Sequence, residues 1–426
     1  MDVLRIVKNL YVAFLSFING LIKKPRNSVM FFPHGNCYFD NYDVINFHSD
    51  NVLSLLNFVL NDKRYNSYQF YIVYYHPDRL NDYIDYCKGK HPERINFVYR
   101  FKKSDFIKSF IKCRTIFTDN YYEPIRYKAS TQRVVCLGYF AAPFKDDFFK
   151  IERTGYKNSL HKSSVINSAF DYHITNSDMC SRLIALDSLI FYPKFLPLGF
   201  PRNDLFYDKD MHLTIKNKIA SCIENPFFDR ILCYAPTYRD FENEDNALRD
   251  SSLSHSKTIF GSADLQTDGV INAVLEKTNS ILIAKLHPKQ EHSVIIGNKN
   301  PRIVMYSDLL KRINISLQEL LAVSDLLITD YSSTFYDFLH LDRPVLYYFY
   351  DINKMTGVRR LFVDPISPLC AGNVSYTIDE LAEIMEKTLI KGEDSLNSQK
   401  RQFVFNMINK YQDGNSAKRI AEYFLN

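Results

Sequence analysis

The chain has 426 residues, enough for two domains with separate hydrophobic cores. Its 46% hydrophobic and 24% charged content is that of a globular protein and excludes a disordered or low-complexity chain. A net charge of +5, from 53 basic and 48 acidic residues, is too mild for a nucleic-acid binder and is compatible with an enzyme handling anionic substrates.

The N-terminal segment, residues 1–26, combines an uncharged stretch from Asn9 to Ile22 with flanking Arg5, Lys8, Lys23, Lys24 and Arg26. It is shorter than the ~20 apolar residues a spanning helix needs, and no small-residue cleavage site follows it. Two readings stay open: a helix lying in an anionic membrane surface, or a helix packed on the protein's own core.

Beyond it, strand-length apolar runs alternate with helical patterns: "SVMFFP", "QFYIVYY", "INFVY", "TIFT", "RVVCL" and "YHIT", then "RILCYAP", "SILIAKL", "RIVMY", "DLLIT" and "PVLYYF". Between them lie amphipathic segments at 50–60, 104–111, 177–186, 264–275 and 317–323. Near-continuous apolar strands separated by helices predict parallel sheets covered on both faces. The pattern occurs twice, and "LPLGFPRNDLFYDKD" (196–210) between the two sets has linker composition. The expected architecture is α/β, two Rossmann-like domains facing a cleft, over 27–200 and 201–426, with a helical tail beyond Tyr376. The eight cysteines form no C-x-x-C pair and several sit in apolar runs, so they read as buried thiols of a reducing cytoplasm rather than a zinc site.

In such sheets the functional residues lie beyond the carboxyl ends of strands. His287 follows "SILIAKL" and can donate to phosphate oxygens or exchange a proton, or serve only as a loop histidine. Thr237 and Arg239 follow "RILCYAP"; a hydroxyl and a guanidinium there can grip phosphate, or Arg239 can pair with Asp240. Ser332 and Ser333 follow "DLLIT" at a helix start, where capping and anion binding both suit serine. His34, with Asp40 and Asn41 nearby, follows the first strand; Gly138, Tyr139 and Lys145 follow "RVVCL". No Asp-x-Asp sits cleanly at a strand end, so metal-independent chemistry without a cofactor is expected.

The segments "LGFPRND", "LCYAPTYRD", "KLHP" and "LLITDYSSTFYDFLHLDRPVLYY", in this order, resemble the CDP-glycerol glycerophosphotransferase family, which builds teichoic acids and related polyol-phosphate capsule polymers. The resemblance implies a GT-B-like fold, a CDP-linked donor held by the C-terminal domain, and transfer of polyol phosphate with release of CMP. It also implies a peripheral location on the inner face of the cell membrane and a lipid-linked acceptor. By the same resemblance His287 matches a catalytic histidine, Ser332 and Ser333 match phosphate-contacting hydroxyls, and Arg343 matches the arginine of a "DRP" turn, expected with Thr237 and Arg239 among the donor-phosphate contacts. Asp330 and Asp337 match acids, read as orienting residues because a carboxylate facing a pyrophosphate repels it. In the N-terminal domain Tyr139 stands where the family carries a histidine that acts as base, while Lys145 is retained. Tyrosine, with a pKa near ~10, is a poorer base at neutral pH, so Tyr139 is tuned, His34 takes the role, or the acceptor chemistry differs. Two rivals remain: a GT-B glycosyltransferase using a nucleotide sugar, and a catalytically silent membrane-associated scaffold.

Overall fold

The computed structural model describes residues 2–33, 50–87, 92–119, 128–138, 164, 166–223, 227–237, 259–261, 267–286, 302–353, 369–392 and 395–426. They fall into two compact units: the described residues up to 204 together with 413–426 form unit 1, and those from 205 to 412 form unit 2. The division comes at Asp204 rather than at residue 200. The last fourteen residues, expected in the C-terminal domain, return to unit 1.

Unit 1 carries a seven-stranded sheet of order β3-β2-β1-β4-β5-β6-β7. Its strands are β1 (Ser28–Phe32), β2 (Gln69–Tyr74), β3 (Ile95–Tyr99), β4 (Thr115–Thr118), β5 (Arg133–Cys136), β6 (Tyr172–Ile174) and β7 (Phe195–Leu196). All neighbouring strands pair in parallel, with Val29 opposite Phe70 on one side and Thr115 on the other. Such a sheet is buried on both faces, which is why every residue of β1 and β4 is buried, with no alternation between an inner and an outer face. One face packs Met30, Phe32, Val73, Ile116 and Val134 against Phe106 and Phe110 of a crossover helix, Lys103–Phe110. On the other, Phe31 stacks on Phe117 (5.6 Å), and Phe117 meets Phe424 of the C-terminal helix, Ser416–Leu425, at 5.8 Å. That helix is held at its start by Asp204, whose two carboxylate oxygens accept the Ser416 and Ala417 amides at 2.9 and 2.8 Å.

The helix α1 (Asp2–Leu21) also belongs to unit 1. Buried Asn19 donates to Gln132 Oε1 (2.7 Å), and Gln132 in turn donates to the Phe110 and Cys113 carbonyls. Leu10, Phe14, Phe17 and Leu21, spaced i, i+4, i+7, i+11, share a stripe on the far side from Asn19 and are 60–70% exposed. Among the described residues no helix is long and apolar enough to cross a membrane.

Unit 2 carries a six-stranded parallel sheet of order β10-β9-β8-β11-β12-β13. Its strands are β8 (Arg230–Ala235), β9 (Ser280–Ala284), β10 (Ile303–Met305), β11 (Leu326–Thr329), β12 (Val345–Tyr348) and β13 (Asn373–Ser375). Leu232, Leu282, Leu326, Ile328 and Leu346 pack on Ile271 and Leu275 of the helix Thr267–Lys277 and on Leu381 and Met385 of the helix Ile378–Glu386. The latter begins with a capping box, Thr377 and Glu380 exchanging bonds with each other's backbone, as "TIDE" in the sequence announces. The stretch 196–210 is not an open linker: it continues from β7 into a 3-10 helix, Pro201–Tyr207, that leads into the helix Lys209–Ala220. The seven described cysteines are free thiols and six are buried.

Candidate active site

In each unit the strand order reverses once. In unit 2 the chain builds β8, β9 and β10 outward in one direction, then returns to lay β11, β12 and β13 on the other side of β8. The crevice beyond the carboxyl ends of β8 and β11 is the topological switch point, where open α/β sheets bind ligands. Thr237 stands beyond β8, and Asp330 to Ser333 beyond β11.

Asp330, 1% exposed, ties these two loops together. Its Oδ1 accepts the Thr237 amide at 2.8 Å and the Ser332 amide at 3.2 Å. One residue earlier, Thr329 Oγ1 donates to the Ala235 carbonyl (2.7 Å), so the strand ends are bound by side chains as well as by the ladder. A carboxylate that accepts two backbone amides replaces the glycine such a turn often needs. None of residues 330–333 adopts a positive φ; the nearby left-handed residue is Asp342, at φ 47°. Ser332 Oγ is 2.9 Å from Thr334 Oγ1, and both Ser332 and Ser333 are half-buried at the start of the short helix Thr334–Phe338. Asp337, buried on that helix, accepts from Gln318 Nε2 at 3.2 Å. Asp330 and Asp337 thus spend carboxylate oxygens on protein donors.

Arg343 is not with them. It precedes β12, at the amino edge of the sheet, and its Nη1 donates to the Ala322 and Ser324 carbonyls at 3.1 and 2.6 Å. It thereby closes the C-terminus of the helix Leu317–Val323. Its neighbour Asp342 receives Arg401 Nε at 3.0 Å. The "DRP" turn is therefore a packing junction, on the opposite edge from Ser332, and the expectation that Arg343 contacts donor phosphate is corrected. His287, Arg239, His34, Tyr139 and Lys145 lie outside the described residues. The described chain reaches Leu286 after β9, Thr237 after β8, Pro33 after β1 and Gly138 after β5.

The unit 1 switch point, between β1 and β4, holds a cluster the sequence reading missed. Asp119 follows β4 and is 2% exposed. Asp50 caps the helix α2 (Asn51–Asn61), accepting the Leu53 amide at 2.7 Å. Buried Asn51 donates through Nδ2 to the Leu137 and Gly138 carbonyls (3.1 and 2.9 Å), and its Oδ1 accepts the Arg202 amide (3.2 Å). Gly138 has φ +80°, and a Cβ there would lie 2.7 Å from the Phe200 ring and 2.9 Å from the Ile174 carbonyl, so the end of β5 admits glycine alone. Burial, then the neighbouring Asp50 carboxyl, pushes Asp119 well above the usual carboxylate range, with Arg202 opposing. Burial raises Asp50 to about 6. The signal in the sequence was the shared ending of two buried strands, "TIFTD" and "LLITD".

The family model of CDP-glycerol:poly(glycerophosphate) glycerophosphotransferases matches residues 37–426. Among characterised relatives, the chain is 26% identical over 322 residues to the teichoic acid glycerol-phosphate primase of Bacillus spizizenii, covering 74% of this chain and 75% of that protein. It is 23% identical over 313 residues to the teichoic acid ribitol-phosphate polymerase TarL of Staphylococcus aureus, covering 73% of this chain and 51% of that one. The solved structure of a variant of the wall teichoic acid polymerase TagF superposes with a TM-score of 0.74 over 99% of this chain and 95% of that chain, at 18% identity. That likeness gives the fold: two parallel α/β units of the GT-B-like kind. With a match that covers residues 37–426, the chain belongs to the CDP-glycerol:poly(glycerophosphate) glycerophosphotransferase family.

Proposed function

We propose that the protein transfers glycerol phosphate from CDP-glycerol to a hydroxyl of a teichoic-acid-type acceptor, releasing CMP. The observation that carries this reading is the Asp330 bridge, which presents the Thr237 and Ser332/Ser333 loops side by side at the unit 2 switch point. Hydroxyls held there can meet the donor pyrophosphate, and in the sequence Arg239 follows Thr237 and His287 follows β9. The TagF structure soaked with CDPG and the relatives' names support the choice of donor. The acceptor hydroxyl attacks the phosphorus distal to cytidine, and CMP departs with the electrons of the broken P–O bond. Such transfer depends mainly on positioning and on stabilising charge over the phosphoryl oxygens. Unit 1 takes the acceptor, which we read as lipid-linked.

The same reading places the protein on the inner face of the cell membrane through α1. Its apolar stripe points away from the tether at Asn19, and exposed Lys23 and Arg26 follow it. The test is CMP release from a panel of CDP-polyols and nucleotide sugars, with and without a glycerol-phosphate-primed acceptor. Acceptor-dependent CMP release from CDP-glycerol, with its phosphorus recovered in the product, is expected. It should fall at least 100-fold in His287→Ala and 10-fold or more in a Ser332→Ala/Ser333→Ala double variant, as when donors to a developing charge are removed. Release of the nucleoside diphosphate or monophosphate of a sugar nucleotide with formation of a glycosidic bond would replace this reading with a glycosyltransferase.

A further inference from the structure

The segment "YRFKKSDF" (99–106), at the end of β3, gathers three cations in four positions: Arg100, Lys102 and Lys103. They stand beyond the carboxyl end of β3, on the same edge of the parallel unit 1 sheet as Asp119 and Gly138. Arg100 is fixed there from two directions. Its amide donates to the Tyr74 carbonyl at 2.9 Å, continuing the ladder from β2. Its half-buried guanidinium lies 5.7 Å from the centre of the Phe32 ring and 4.8 Å from that of Phe106, both of them buried. Phe32 ends β1 and Phe106 belongs to the helix Lys103–Phe110, so the charge rests on the rim of the core.

The donors of this guanidinium meet no protein oxygen among the described residues. Arg94 shows the structural alternative in the same unit: stacked 5.2 Å from the Phe70 ring, it donates to the Tyr65 and Leu60 carbonyls at 2.7 and 3.1 Å. Arg182, stacked 5.1 Å from Tyr192, is exposed, and water serves its donors. Arg100 is held by core rings yet open toward the edge where α/β sheets bind ligands. Lys103, three residues before Phe106, shares that face of the helix and so stands beside the guanidinium. Lys102 is answered by Asp105 at 2.7 Å; Lys103 is exposed and has no such partner among the described residues. Cations side by side at the amino end of a helix repel one another and oppose its dipole, a local cost that an anion would offset. A planar fork beside a point charge suits a phosphodiester. Phe101, 50% exposed and 5.7 Å from the Tyr99 ring, adds an apolar wall for glycerol carbons.

We propose that Arg100 and Lys103 form a subsite of unit 1 that binds a backbone phosphodiester of a poly(glycerol phosphate) acceptor. The inference deepens the transferase reading above and rests on it for the identity of the acceptor. A lipid headgroup carries the same phosphate chemistry. However, α1 is tethered through Gln132 to the Phe110 and Cys113 carbonyls, at the other end of the helix Lys103–Phe110, about 12 Å along its axis. The carboxyl edge is thus turned to the substrate rather than to the anchoring helix.

The test measures binding of a synthetic glycerol phosphate oligomer to the full-length protein by calorimetry, without donor. Wild type is compared with Arg100→Met/Lys103→Met and with Lys103→Met. Losing two charge-assisted contacts should raise the oligomer Kd about 10- to 100-fold in the double variant, and about threefold or more in Lys103→Met. Added salt should weaken wild-type binding more than that of the double variant. In turnover with CDP-glycerol the acceptor KM should rise by the same factor while the donor KM stays within twofold. An oligomer Kd within twofold of wild type in the double variant overturns the proposal, as does a wild type that binds no oligomer. Lys103 is exposed, so its single variant decides the matter should the double variant fail to fold; an unchanged Kd there overturns the proposal too. A double variant that keeps oligomer binding but no longer co-sediments with phosphatidylglycerol vesicles would give the site to a headgroup instead. Wild-type binding that depends on Arg100 and Lys103, without CMP release, defeats the transferase reading alone. Wild-type turnover beside variants that bind normally defeats this inference alone.

Discussion

His173 gives the sharpest pH prediction. It lies in β6 at 3% exposure, its ring 5.3 Å from that of Phe170 and 5.2 Å from that of Phe195, and its Nε2 has no hydrogen-bond partner among the described residues. Burial, with some help from Lys194, depresses its pKa from 6.5 to about 3. In the unfolded chain the imidazole takes up a proton below about pH 6.5, whereas in the folded chain it stays neutral until about pH 3. The stability it preserves is therefore fully present above pH 6.5 and is lost as pH falls toward 3. At about 1.4 kcal/mol per pH unit, lowering the pH from 7 to 5 removes about 2 kcal/mol. Full loss near pH 3 approaches 5 kcal/mol by the same reckoning, a large share of what holds a domain together. Asp204 and Asp50, each raised by burial to about 6, act in the opposite sense: they favour the folded state as pH falls through that region, so wild-type data alone would mix the effects. The comparison needed is His173→Phe, which keeps an aromatic ring between Phe170 and Phe195 and cannot titrate. Urea unfolding at pH 7 and 5, followed by tyrosine fluorescence and far-UV circular dichroism because the chain has no Trp, should show wild type losing about 2 kcal/mol more than the variant. Equal losses in the two proteins would refute the argument.

Other outcomes follow from single contacts. Arg343→Met removes a charged donor from two helix-terminal carbonyls and should destabilise unit 2 by about 2–4 kcal/mol in urea, leaving the CDP-glycerol KM within twofold. Asp330→Ala frees two amides at the donor edge; the donor KM should rise at least tenfold, along with a stability loss of about 3 kcal/mol. Gly372→Ala would place its Cβ 1.7 Å from the Val345 carbonyl oxygen, so β13 must separate from β12, and faster hydrogen exchange at Leu346 to Tyr348 measures that. Replacing Leu10, Phe14, Phe17 and Leu21 by Ser should abolish co-sedimentation with anionic vesicles while preserving the melting temperature. Retained sedimentation would give the anchoring to another surface.

The buried strands were legible because a parallel sheet covered on both faces asks for unbroken apolar runs, as "TIFT" and "DLLIT" provide. β7 and β13 were not: "FL" is two residues long and "NVS" is mostly polar, and each borrows its place from a neighbouring strand rather than from its own composition. Helix boundaries such as Leu317–Val323 could be read from period and caps. The order of the strands, and so the two switch points, depends on crossovers that leave no local trace. Arg343 was misread for a related reason: arginine beside a "DRP" turn suits phosphate, but whether it stands at the amino or carboxyl edge is decided by the strand that follows it. Asp119 carried a visible cue in its likeness to Asp330, yet its orphaned oxygen and its closeness to Asp50 arise only when the start of α2 meets the end of β4.

The return of Asp413–Asn426 to unit 1 sets an order on synthesis. A ribosome delivers β1 to β7 early, but Phe117 and Tyr172 lack their cover until Phe424 arrives, and Asp204 has no Ser416 or Ala417 amide to hold until then. Unit 2 has all its strands before the final helix is made. The half of the protein that is born first is thus finished last, and its exposed aromatic face must be kept from other chains for the whole time unit 2 is being translated.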